Sequence, residues 1–211
     1  MRAVIETPAG DAWADIDEPD LSGGPTWALL FLGHGSSGGT DAVDLLAVRD
    51  RAVGAGIVVA RITQPHVVLG RRSPAPAARL DEVWLAVTAQ VSALERFSAL
   101  PAVHGGRSAG ARVACRTAAA TGAVAVVALA FPVHPPGQPD KSRLAELALP
   151  RVPVLVVQGD RDAFGQPSRA RGRTVRIIAG ADHSLRKNPA AVADAVVDFV
   201  TSRVRHGKVS S

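Results

Sequence analysis

Short runs of Val, Leu and Ile alternate along this chain with longer Ala-rich segments whose apolar residues recur at helical spacing. A strand that is apolar at nearly every position has to be covered on both faces, and intervening helices supply that cover. They also supply the long crossover that parallel pairing requires. The expected class is therefore α/β, with a mostly parallel central sheet and helices on both faces. The runs predict strands at 27–32, 57–61, 102–106, 124–130, 153–157 and 174–178. Helices are expected at 41–53, 77–97, 109–120, 141–147 and 189–204, with a loop bearing Pro65, Gly70, Pro74 and Pro76. Residues 3–7 and 12–16 flank a Pro-Ala-Gly-Asp turn and predict an antiparallel edge hairpin within about residues 1–20.

No composition break divides the 211 residues, so one domain over 1–211 is expected, with a frayed tail at about 205–211. The chain carries a net charge of +5, but its arginines are dispersed, without interleaved aromatics or a groove-reading element. A nucleic-acid partner is not expected. The single cysteine, Cys115, forbids an internal disulfide and falls in an apolar helical stretch, as a buried residue would. The amino terminus lacks the apolar core of a signal peptide, and the longest apolar run, 123–133, is broken by Pro132. That run is too short to span a bilayer, so no membrane partner and a cytoplasmic location are expected.

Residues 106–110 read Gly-Arg-Ser-Ala-Gly and follow a predicted strand directly. At such a strand-to-helix turn the glycines avoid clashes that a Cβ would create, and Ser108 is held at the strand end as a candidate nucleophile. A serine hydroxyl needs a base to take its proton and a third group to orient that base. Asp162 and His183 each lie just past a later predicted strand, and parallel strands bring such ends to one edge of the sheet. Asp160 competes with Asp162 for the orienting role. Among six histidines, His34, His66, His104, His134 and His206 are rivals of His183, and no pair has convincing metal-ligand spacing.

Acyl transfer also needs backbone N–H groups aimed at the developing negative charge. Ala109, next to the nucleophile at a helix N-terminus, is one candidate donor. Ser36, in the Gly-His-Gly-Ser-Ser-Gly-Gly loop of residues 33–39, is the other. That loop lacks the Lys-Ser/Thr ending of a phosphate-binding P-loop.

His34-Gly35-Ser36-Ser37-Gly38, the elbow at Gly106–Gly110, the segment Gly159–Asp162 and Ala181-Asp182-His183-Ser184-Leu185 together resemble the α/β-hydrolase superfamily. Over about residues 25–200 the chain is similar, more narrowly, to the KANL/Tex-type branch of small proteins related to dienelactone hydrolases. Arg71-Arg72, Gly105–Arg112 and Phe131-Pro132-Val133-His134-Pro135-Pro136-Gly137 carry that match. Arg107, Ala109 and Ala111 stand where the branch tends to have lysine, methionine and glycine.

The resemblance implies an α/β-hydrolase fold and a serine hydrolase of ester-type or related acyl substrates. Ser108, His183 and Asp162 are then the triad, and Ser36 and Ala109 the oxyanion donors. No cofactor or metal is implied, and the expected partner is a small-molecule acyl substrate, with the oligomeric state left open. About twenty residues separate the fourth and fifth of the parallel-strand runs, too few for a full lid domain, so an open pocket is expected. His34, Arg71, Arg72 and His134 are candidate substrate-binding residues, the two arginines as a bidentate site for a carboxylate. The alternatives are a non-catalytic interaction module on a hydrolase scaffold, or acyl transfer to an acceptor other than water.

Overall fold

The computed structural model describes residues 1–20, 22, 24–36, 38–71, 73 and 75–205. Among them one eight-stranded sheet runs through the molecule. Its strands are β1 (Arg2–Ile5), β2 (Ala12–Asp17), β3 (Ala28–Gly33), β4 (Ile57–Thr63), β5 (Ala102–Arg107), β6 (Ala125–Leu129), β7 (Val154–Gly159) and β8 (Arg173–Ile178). They lie in the order β1-β2-β4-β3-β5-β6-β7-β8. β1 and β2 form the antiparallel edge hairpin, and β2 pairs antiparallel with β4. All other pairings are parallel. The helices are α1 (Val43–Val53), α2 (Pro65–Val68), α3 (Ala77–Ser92), α4 (Ala109–Thr121), α5 (Leu144–Leu147) and α6 (Pro189–Val200).

The pleat sends alternate residues of each strand to opposite faces, so continuous apolar strands build two cores. Leu30 and Leu32 of β3 face Leu45 and Val48 of α1, in a cluster that extends to Val196 and Val200 of α6. Leu29 and Phe31 face the other way, onto Val83, Trp84 and Val87 of α3. α4 covers that second face farther along, where Ala114 and Cys115 pack with Val126 and Ala128 of β6. The run Ala-Val-Val-Ala-Leu of β6 is buried throughout because both faces are covered.

Several boundaries differ from the sequence expectation, each for a local reason. The expected helix at 77–97 stops at Ser92, and turns beyond it carry Phe97 into the core at 2% exposure. The loop around Pro65 contains the helical turn α2, which starts with proline where a helix can spare an N–H. The helix expected at 141–147 contracts to α5, whose first N–H is accepted by the Ser142 hydroxyl. The last helix changes to a π turn at Thr201–Arg205, where the Ser202 hydroxyl donates to the Phe199 carbonyl. The expected tail lies outside the described residues beyond Arg205.

Sheet order positions the site. From β3 the chain steps outward to β4, then returns to the opposite side of β3 to form β5. At such a reversal the loops leaving the two neighbouring strands diverge and leave a crevice at their carboxyl ends. Here those loops are the glycine loop after β3 and the Ser108 elbow after β5.

Candidate active site

Ser108 links β5 to α4 with φ 53° and ψ −106°, a conformation that non-glycine residues seldom adopt. Close backbone approach holds the turn. The Gly110 N–H donates to the His34 carbonyl at 3.0 Å, and a Cβ at Gly110 would overlap the Gly33 carbonyl group. The glycine loop and the first turn of α4 are thereby clipped together. Ser36 and Ala109 both line the resulting cleft, and neither N–H has a hydrogen-bond acceptor among the described residues.

The loops after β7 and β8 converge on the same point. His183 Nε2 lies 2.9 Å from Ser108 Oγ, and its Nδ1 lies 2.8 Å from Asp162 Oδ2. The Asp162 side chain is fully buried. Its Oδ1 accepts the Phe164 N–H at 2.8 Å, and Oδ2 also accepts from Gln158 Nε2 at 2.7 Å. A carboxylate so surrounded by donors is an acceptor only, so the His183 proton belongs on Nδ1 and Nε2 is left to accept. Asp160 is exposed, and it is Asp162 that reaches the histidine.

Three features of this arrangement were not anticipated from the sequence. Gln158, at the end of β7 and fully buried, donates to Asp162 and to the Gly165 carbonyl, tying the acid loop to its strand. The Phe164 ring stacks on His183 with centroids 4.0 Å apart and limits the tilt of the imidazole. Arg107 passes beneath the glycine loop toward Asp44, a carboxylate with no exposure, at 3.6 Å. Burial pushes the Asp44 carboxyl up in pKa, and the Arg107 charge partly offsets the effect.

His34 does not face the cleft as a substrate ligand would. It is 4% exposed, and its Nε2 accepts the Gln64 N–H at 3.0 Å. The proton is therefore on Nδ1, which donates to the Gly35 carbonyl at 2.7 Å and orients the loop from behind. Burial lowers the His34 pKa to about 4. His104, inside β5, accepts the Trp84 indole N–H on Nδ1, and burial lowers its pKa to about 3.

Both histidines are neutral when folded and titrate near 6.5 when unfolded, so acid favours the unfolded chain. Their contribution is complete above pH 6.5 and is lost as the pH falls toward 4 for His34 and 3 for His104. Below pH 6.5 each should remove at most about 1.4 kcal/mol of stability per pH unit. Urea unfolding at pH 7.5 and pH 5.0 should show this loss, and His104→Gln, which keeps an acceptor for Trp84, should make it shallower. An identical pH slope in that variant would contradict a neutral buried His104.

Comparison with known proteins agrees with this fold. The family model for the alpha/beta hydrolase domain matches residues 26–201. The chain belongs to the alpha/beta hydrolase family. No curated protein matches it. Among solved structures, this hydrolase resembles a lidless α/β serine hydrolase from Xanthomonas campestris, with a TM-score of 0.75 and 18% identity over 97% of this chain and 94% of that one. It also resembles a dienelactone hydrolase from Anabaena variabilis, with a TM-score of 0.76 and 18% identity over 97% and 98% of the two chains. An α/β serine hydrolase homologue from Coxiella burnetii superposes with a TM-score of 0.75 and 18% identity, over 95% and 97%.

Between β6 and β7 this hydrolase carries only the four-residue α5, and its cleft is an open space of about 760 Å³. Arg71 is exposed and outside the cleft lining, where it offers no carboxylate site, and Arg72 lies outside the described residues. His134 does not line the cleft either. It packs behind it, against Gly165, while its backbone N–H donates to the Phe164 carbonyl at 3.1 Å. The proline-rich loop thus braces the acid loop. No helix among the described residues is long and apolar enough to cross a membrane.

Proposed function

We propose that the protein is a serine hydrolase acting on ester-type or related acyl substrates through Ser108, His183 and Asp162. The observation that carries this reading is the single imidazole hydrogen-bonded to Ser108 on one nitrogen and to Asp162 on the other. In the acylation step His183 Nε2 takes the Ser108 proton as Oγ bonds to the carbonyl carbon. Asp162 stabilises the imidazolium so formed. The carbonyl oxygen becomes an oxyanion facing the free N–H groups of Ser36 and Ala109, each worth about a hundredfold to a thousandfold in rate. Collapse expels the leaving alkoxide, which takes the proton from Nε2. Water then repeats the sequence: it gives a proton to Nε2, attacks the acyl carbon, and releases the acid as Ser108 recovers its proton.

A fluorophosphonate probe read by intact mass tests the proposal. One adduct is expected on the wild type and none on Ser108→Ala. A folded wild type that takes up no probe would overturn the reading in favour of a non-catalytic module. Turnover of short p-nitrophenyl esters then tests water as the acceptor.

A further inference from the structure

Arginines crowd the rim of the cleft. Arg107, Arg112, Arg116, Arg143, Arg161 and Arg186 all line it, whereas Asp182 is the lining carboxylate. Three of the six are committed elsewhere. Arg112 makes a two-point contact with Glu146, at 2.8 and 2.6 Å. Arg116 bonds to both oxygens of Asp81 and to Glu146, and Arg107 faces Asp44. Asp182 in turn accepts from the backbone and hydroxyl of Ser184.

Arg143, Arg161 and Arg186 have neither a side-chain hydrogen bond nor an ion pair among the described residues. Arg143 precedes α5, Arg161 stands beside Asp162, and Arg186 follows His183 by three residues. They therefore ride on the loops that surround Ser108. Both oxygens of Glu146 already accept from Arg112 or Arg116, and Arg143 makes no hydrogen bond to it among the described residues. Partial burial and the Arg112 charge push the Arg143 pKa down, and the Glu146 charge only partly offsets them. Guanidinium groups in this setting favour an oxyanion, such as a carboxylate or phosphate, that presents two acceptor oxygens at once.

We propose that the open rim selects acyl substrates bearing a second, anionic group, a carboxylate or phosphate, held by Arg143, Arg161 and Arg186 while the scissile carbonyl sits at Ser108. This rests on the serine-hydrolase reading and names its substrate class. The cleft is large enough for the two ends of such a molecule, since sites for small ligands occupy about 300–1,000 Å³.

Matched p-nitrophenyl esters supply the test: pentanoate as the neutral chain, the glutarate monoester as its carboxylate counterpart, and 4-phosphonobutanoate as the phosphate-like arm. The better anionic ester should exceed the neutral one by at least about tenfold in kcat/KM at low ionic strength, with the ratio falling as salt is added. Combined Arg143→Gln, Arg161→Gln and Arg186→Gln substitutions should bring the ratio to about one, whereas Arg71→Gln, outside the cleft, should leave it unchanged. The larger of the two anionic ratios distinguishes carboxylate from phosphate.

A wild-type ratio of one or less, or a preference that survives the triple substitution, overturns the proposal while leaving the hydrolase reading intact. Failure of the hydrolase reading looks different, with no probe adduct and no ester turnover. In that event calorimetry of glutarate and of inorganic phosphate with Ser108→Ala decides the matter: binding lost on the triple substitution supports the arginine site, and no binding of either anion rejects it.

Discussion

Asp162→Asn is expected to lower kcat for a short p-nitrophenyl ester by about ten-thousandfold, the loss that follows when a triad imidazole is held in the wrong tautomer. The Phe164 N–H keeps the asparagine carbonyl on the Oδ1 side, so the new NH2 group takes the place of Oδ2. There it meets two donors, Gln158 Nε2 and the Nδ1–H of His183. The imidazole escapes this conflict by carrying its proton on Nε2, where it can no longer take the proton of Ser108. Labelling by the fluorophosphonate should slow to a similar extent. The remaining clash with Gln158 should cost about 1–3 kcal/mol, or a few degrees in Tm. A rate loss below tenfold would exclude Asp162 as the group that orients His183.

Gly110→Ala carries the largest expected effect on stability. The added methyl would press on the backbone of Gly33, and neither segment has a flexible side chain that could yield. Overpacking of this kind sits at the upper end of its usual range, about 3 kcal/mol, equivalent to about 6–12 °C in Tm for a chain of this size. Movement apart would also separate the Ser36 and Ala109 donors, so surviving protein should lose about a hundredfold in kcat. Gly122→Ala is the control. Gly122 has φ 66° with nothing near its missing Cβ, so strain of about 1–2 kcal/mol is the whole expected cost. Thermal melts of the two variants decide: equal destabilisation would mean that the contact between Gly110 and Gly33 is not constraining.

The parallel strands were legible because burial on both faces leaves continuous apolar runs such as Val154–Val157. Ser108, Asp162 and His183 could be singled out because each falls just beyond such a run. Gln158 left no comparable signal, since its role depends on acceptors from Phe131, Asp162 and Gly165 that meet only after folding. The pairing of Arg107 with Asp44 was hidden for the same reason: the two residues lie on different elements and neither stands in a recognisable spacing. His134 misled because a proline-rich loop near the site can either line a cleft or support it. Contact with Gly165 gives it the second role. Periodicity alone cannot register the change to a π turn at Thr201–Arg205, where the Ser202 hydroxyl donates to the Phe199 carbonyl.

The left-handed backbone at Ser108 has a consequence for how this protein can change. At φ 53° the position favours glycine, so the residue proposed to react is also one that the fold would gladly replace. Strain of this kind costs about 1–3 kcal/mol. Selection for thermal robustness alone therefore pulls against chemistry here, and a sequence drifting without demand for turnover would shed its serine early while keeping its architecture.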